Sequence, residues 1–221
     1  MKRWLINASS FLLGLVLLAL FVGCLFPQTA RAQTRIPQVA VTYRLAIERE
    51  ATRNYGIHGS EYVAMLAAQV HQESAWRATA QSPYAQGLTQ FTPATAKWLP
   101  SVCPAVGAPD VWDPQWALRA QACYMAWLHE RVKPYRHARA MSECSRRAFA
   151  LRGYNGGEGW LTKERLATQR AGGDANDWHE VARVRLRATW AHKENTHYPR
   201  VIMLTLEPAY LKAGWSGKAV C

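Results

Sequence analysis

The sequence predicts a mainly α-helical protein with one globular domain. Three observations carry that expectation. No sustained alternation of apolar and polar residues, the mark of a half-buried strand, runs through the chain after its N-terminal segment. A capping side chain stands directly before a proline at two places, Thr92-Pro93 and Asp113-Pro114, the arrangement that starts a helix. Third, 189 residues remain from position 33 to 221, enough for one substantial core without a second domain.

The chain opens with Lys2 and Arg3 before an apolar run from Phe11 to Phe26, then Pro27 and the small-residue pattern Ala30-Arg31-Ala32. This reads as a secretory signal, 1–32, removable after Ala32. The alternative is an uncleaved anchor lengthened by Leu5 and Ile6, the only route by which the chain would meet a membrane. Phe21-Val22-Gly23-Cys24 fits poorly as a lipid-attachment site.

A first helix is predicted from Pro37 to about Arg53, within an N-terminal helix and linker spanning 33–59. Ser60 is expected to cap a second helix, with Glu61 in its first turn, running to Glu73 or Ser74. Helices then start at Pro93 and Pro114. The latter, PQWALRAQACYMAWLHERV, stops before Lys133-Pro134 and is rich enough in apolar residues to be the central core helix. Ser142 begins SECSRRAFALR, which should end at the glycine-rich Gly153-Tyr154-Asn155-Gly156-Gly157. A helix from about Glu158 to Arg170 and the polar connection AGGDAND follow. The last helix is expected from around Tyr198 to Leu206, broken by Pro208, which leaves 207–221 as a tail.

The whole chain carries 27 Lys and Arg against 15 Asp and Glu. Losing Lys2, Arg3 and Arg31 with the signal leaves 24 against 15, a net charge of +9. A basic exported protein should meet an anionic polymer of the cell wall rather than nucleic acid; the plainer reading is that the charge confers solubility. Cleavage would discard Cys24 and leave Cys103, Cys123, Cys144 and Cys221, an even number that suggests two disulfides outside the cytoplasm. Pairing Cys103 with Cys123 and Cys144 with Cys221 would anchor the tail; Cys123 with Cys144 stays open.

One carboxylate stands alone. Glu73, in HQESAW, is followed by no Asp or Glu until Asp110. At a helix C-terminus and beside Trp76, the anion is disfavoured by the helix dipole and by apolar surroundings, so the carboxyl should hold its proton near neutrality. A protonated carboxyl is what cleavage of a glycosidic bond needs, since the departing oxygen must be protonated. Asp113 is better explained as a helix cap, and Asp110 lies in a Pro-rich loop. His179-Glu180-Val181-Ala182-Arg183 begins like a zinc-binding helix but has Arg where the second His belongs. His192, Glu194 and His197 offer metal-ligating types at close spacing, yet neither a metal nor a cofactor is expected. The Tyr154–Gly159 stretch lacks the lysine of a phosphate loop.

Four blocks in order extend the reading: Glu73-Ser74; Gly87-Leu88-Thr89-Gln90 followed by Pro93 and Thr95-Ala96; Tyr154-Asn155-Gly156-Gly157; and Glu194 with Tyr198, then Arg200-Val201. Over 60–206 the sequence resembles the soluble lytic transglycosylase family, which has a goose-type lysozyme-like fold. It departs from that family's pattern at Thr89 (Met), Gly153 (Ala), Gly156 (Ala) and Asn195 (Thr).

The resemblance implies that Glu73 is first acid and then base. It would protonate the oxygen between N-acetylmuramic acid and N-acetylglucosamine, and then deprotonate the C6 hydroxyl that closes a 1,6-anhydro ring. It further implies that Ser74 positions the Glu73 carboxyl and that Gln90 bonds an acetamido group or sugar hydroxyl. Tyr154 and Asn155 would line the catalytic subsite, Tyr198 would bring its hydroxyl near Glu73, and Glu194 would face the cross-linking peptide or brace the cleft. The expected substrate is the peptidoglycan glycan strand in the periplasm or envelope. Analogy of fold adds an envelope-spanning conjugation or secretion apparatus as partner. The rival expectations are a hydrolytic lysozyme and a wall-binding module without turnover.

Overall fold

The computed structural model describes residues 34–136 and 138–221. The expectations of a signal, an anchor or lipid attachment fall on residues outside these. Thr34–Cys221 forms one compact unit, and no helix among the described residues is long and apolar enough to cross a membrane.

A short helix α1, Val39–Thr42, leads through Tyr43 into α2, Arg44–Tyr55. Ser60 does not cap the next helix. It lies in a 3-10 turn, Gly56–Glu61, and α3 runs from Val63 to Ser74 without a side-chain cap. Two features make that start viable: backbone contacts replace the cap, with Ala64 N–H donating to Ser216 C=O at 2.8 Å, and every residue from Val63 to Val70 is buried. A helix apolar all round belongs in the middle of a protein, and α3 is therefore the central helix. The long helix over 114–131 packs against α2 and reaches α3 through Gln121.

The two Thr/Asp-Pro starts form as expected. Thr92 accepts from Thr95 N–H ahead of α4, Pro93–Trp98, and Asp113 accepts from Gln115 and Trp116 N–H ahead of α5, Pro114–Arg131. Ser142 likewise caps α6, Glu143–Gly156. The helix outlasts its first glycine, so Tyr154 and Asn155 sit on its last turn rather than in a loop. Next come α7, Glu158–Arg170, and the short α8, Trp178–Val181, capped by Asp177.

The last helical stretch is longer than the sequence suggests. α9 spans Thr189–Val201 with Pro199 inside it, a π-helical turn follows over Ile202–Leu206, and α10 runs Glu207–Lys212. Pro208 breaks nothing, because it falls in the first turn of α10, where no N–H is required. α6 packs between α5, α7 and α9, while α3 packs against the π turn and α10.

The tail is bound to the core. Cys103 bonds Cys123 and Cys144 bonds Cys221, while buried Arg147 donates to Lys218 C=O at 2.9 Å. Trp215 lies in the core beside Tyr210.

Candidate active site

α3 ends in two successive residues in the left-handed region, Ala75 (φ 50°) and Trp76 (φ 67°). Side-chain residues adopt this backbone only when surrounding structure holds them there. Trp76 supplies the hold: its Nε1–H donates to Tyr210 Oη at 2.6 Å, and its ring packs among Tyr43, Tyr210 and Trp215. The turn stops α3 with Glu73 facing a cleft of about 470 Å³.

The opposite wall comes from the loop after α3. Gly87 there has φ +77°, and a Cβ would fall 1.8 Å from Val111 O, so only glycine fits. Gln90 is also left-handed, at φ 51°. Its Nε2 hydrogens are both committed, to Ala80 O (3.1 Å) and Gly87 O (2.8 Å). Gln90 therefore braces the loop with its donors and has only Oε1 to offer a ligand. Leu88 is buried beneath, and Thr89 Oγ1 donates to Ala117 O on α5 at 3.4 Å. Tyr154 ties the loop to α6 by donating to Thr89 O at 2.8 Å.

Glu73 is partly accessible from the cleft, yet its carboxyl is enclosed enough that its pKa is raised to about 8. Burial is the main cause. The nearby charge of Glu194 adds to it, and a hydrogen bond from Tyr198 opposes it. Trp76, expected to supply the apolar surroundings, turns instead toward Tyr210 and Trp215 and is not part of the cleft lining.

Of the seven residues singled out in the sequence, six line this cleft: Glu73, Gln90, Tyr154, Asn155, Glu194 and Tyr198. Ser74 does not. Its hydroxyl is buried and donates to Val70 O at 3.3 Å within α3. The group that meets the Glu73 carboxyl is the Tyr198 hydroxyl, which donates to Oε1. Glu73 is also less solitary than its sequence neighbourhood indicates, since α9 brings Glu194 into the same cleft. Asp110 and Asp113 stay out: each accepts backbone N–H groups at the α5 N-terminus.

Two departures from the family pattern are coupled in space. A Cβ on Gly156 would meet Asn195 Nδ2 at 2.4 Å and Arg187 Nη1 at 2.5 Å, so the larger Asn195 occupies the room that Gly156 leaves. Asn195 accepts from Arg152 Nε at 3.0 Å and donates to Arg152 O (2.9 Å) and Asn155 Oδ1 (3.0 Å). These bonds turn the Asn155 amide N–H toward Glu194. Arg152 is held in turn by fully buried Glu164 at 2.6 Å, which also pairs with Arg187 at 3.0 Å. His192 lies against this network, 3.8 Å from Glu164, while His197 and Glu194 line the cleft. Among the described residues no three His, Cys, Asp or Glu side chains gather as metal ligands.

Trp190 went unnoticed in the sequence. It is 69% exposed, lines the cleft, and also walls an adjoining 370 Å³ pocket with Trp160 and Arg187. Its signal in the sequence is the spacing Trp190, Glu194, Tyr198, one helical face at intervals of four, which is visible only with α9 beginning at Thr189 rather than near Tyr198. Tyr84, 76% exposed on the loop, joins Trp190 as a largely exposed aromatic in the lining.

The chain is similar to several known proteins. The membrane-bound lytic murein transglycosylase F of Alcanivorax borkumensis is 37% identical over 136 residues, covering 61% of this chain and 27% of that protein. The corresponding protein F 2 of Alkalilimnicola ehrlichii is 33% identical over 121 residues, 54% of this chain and 24% of its own length. A Vibrio cholerae protein F is 33% identical over 118 residues, covering 53% and 20%. The chain thus matches about a quarter of the length of these relatives. The profile of the family described as Transglycosylase SLT domain matches residues 48–176, ending before the α9 residues Glu194 and Tyr198. That match spans more than half of the sequence, and the chain belongs to the transglycosylase SLT domain family, with its mainly helical, lysozyme-like fold.

Proposed function

We propose that the protein is a lytic transglycosylase that cuts the β-1,4 bond between N-acetylmuramic acid and N-acetylglucosamine in peptidoglycan, with Glu73 as the catalytic residue. The observation that carries this reading is the Glu73 carboxyl set into the wall of an open cleft with Tyr198 Oη donating to Oε1, where burial raises its pKa to about 8 and favours the protonated acid. The proton passes to the glycosidic oxygen as the C1–O bond breaks and an oxocarbenium-like state forms. The carboxylate left behind takes the proton of the muramic acid C6 hydroxyl, whose oxygen bonds to C1, so Glu73 ends protonated and no water is consumed. An intramolecular nucleophile has little orientational entropy to lose. Tyr198, already donating to Oε1, stabilises the anion between the two steps.

Glu194 gives the hydrolytic reading a specific candidate, because a second carboxylate in the cleft could activate water. The product separates the two. Digestion of purified sacculi should give 1,6-anhydro ends with the wild type and no release with Glu73→Gln; reducing ends would assign hydrolysis, and no release by either protein would leave a wall-binding module.

The relatives' names describe those proteins as membrane-bound and as acting on murein, and action on the peptidoglycan of the envelope is proposed for this chain, with residues 60–206 as its catalytic domain. Service to an envelope-spanning conjugation or secretion apparatus rests on analogy of fold. Its test is loss of transfer or secretion on deletion of the gene, restored by the wild type but not by Glu73→Gln.

A further inference from the structure

Behind Glu73 lies a line of buried amides with no counterpart in the motifs read from the sequence. Gln121 on α5 and Gln69 on α3 are both essentially inaccessible to solvent. Gln121 Nε2 donates to Leu66 O at 3.0 Å and to Gln69 Oε1 at 2.9 Å, and Gln69 Nε2 donates to Tyr198 Oη at 3.1 Å. Tyr198 Oη then meets Glu73 Oε1.

The direction of every bond follows from the first. A backbone carbonyl can only accept, so the Gln121 atom facing Leu66 O must be nitrogen. Its second hydrogen requires an oxygen on Gln69, which places the Gln69 NH2 against Tyr198. The tyrosine oxygen thus accepts from Gln69, and its single hydrogen goes to Glu73 Oε1. With Oε1 accepting, the proton of the neutral carboxyl is confined to Oε2. No other described side chain bonds Oε2, and the carboxyl faces the cleft.

We propose that Gln69 and Gln121 are positioning residues that fix Tyr198 as a donor to Glu73 Oε1 and thereby keep the acid proton on Oε2, where a substrate oxygen can take it. Without the relay the Tyr198 hydroxyl is free to turn and accept from the carboxyl, which moves the proton to the wrong oxygen. The inference rests on the acid role of Glu73, but its test needs no substrate. The other titratable groups in the cleft are Glu194 and His197 from α9, Tyr154 from α6, Tyr124 from α5 and Tyr84 from the loop; all are unchanged in the variants below.

The experiment is a 13C NMR titration of Glu73, its resonance assigned by its loss in Glu73→Gln, in the wild type, Gln69→Met, Tyr198→Phe and the double variant. Gln69→Met should raise the Glu73 midpoint by about half a pH unit or more, because a tyrosine deprived of its amide donor is a weaker donor to the carboxylate. Tyr198→Phe should raise it by about one unit or more, and Gln69→Met should add nothing in that background. The low-pH kcat of Gln69→Met should fall about threefold to tenfold, with KM unmoved. Equal shifts with and without Tyr198, or no shift from Gln69→Met, overturn the proposal. Should Gln69→Met not fold, the wild type alone decides: the Gln69 NH2 must exchange slowly and show cross-relaxation to the Tyr198 ring, and a fast-exchanging or reversed amide refutes the relay. A titration that behaves as stated in a protein that cuts no glycan would leave the relay standing and reject the enzyme.

Discussion

Replacing Glu73 by Gln should abolish turnover and yet stabilise the fold, by an amount that depends on pH. The folded pKa of about 8 lies well above the ordinary 4.5, so burial favours the protonated form. Relative to a neutral side chain, the wild type has no deficit below pH 4.5. From there to pH 8 it loses stability at about 1.4 kcal/mol per pH unit, since the unfolded chain releases this proton and the folded chain keeps it. The full deficit is about 4–5 kcal/mol, reached near pH 8, above which both states are ionised. Gln is isosteric, accepts the Tyr198 hydrogen bond through its own oxygen and carries no charge to bury. Urea unfolding of the two proteins from pH 5 to pH 9 gives the difference directly. Glu207, which burial against the core raises to about 7, titrates in both and cancels. The variant's advantage should grow with pH and level off near 8; a flat difference across the range would show that the Glu73 carboxyl titrates like an exposed one, and the acid role would lose its physical basis.

Three further outcomes are expected. Glu194→Gln removes a like charge from the cleft, so the Glu73 pKa should fall by about half to one unit, and the loss of activity at high pH should begin correspondingly lower in the pH–rate profile; the product should still carry anhydro ends. Gly87→Ala forces a Cβ into Val111 O at φ +77°, and thermal melts should show about 2–4 kcal/mol lost together with the loop's register on the cleft. Opening Cys144–Cys221 by paired Ser substitutions releases a closure of 77 residues in sequence, with an expected loss of about 4 kcal/mol in urea unfolding. Activity should fall in parallel, because the tail holds Trp76 and so the end of α3.

What the sequence disclosed, and what it hid, divides along the range of the interactions. Thr92-Pro93, Asp113-Pro114 and Ser142 were legible because a cap is a local device, satisfied within three residues. Glu73, Tyr154 and Tyr198 were legible because they recur as an ordered pattern. Ser60 misled, since the start of α3 is held by Ser216, distant in sequence. Pro208 misled in the other direction, because the helical path continues past it, and the start of α9 at Thr189, well before Tyr198, is what hid Trp190 and its face. Ser74 looked like the group that orients the acid because it is adjacent, whereas in a helix the adjacent residue points elsewhere and the orienting hydroxyl arrives from α9. Gln69 and Gln121 were invisible as a pair, because nothing in a string of residues shows that two amides on different helices meet at 2.9 Å.

The most direct test of the central claim, that Glu73 acts as acid and base with the sugar's own hydroxyl as nucleophile, is mass spectrometry of the fragments released from sacculi in isotopically heavy water. The account predicts muropeptides one water lighter than the reducing form, with no heavy oxygen at C1, absent with Glu73→Gln. Reducing ends bearing heavy oxygen, or undiminished release by Glu73→Gln, would contradict it.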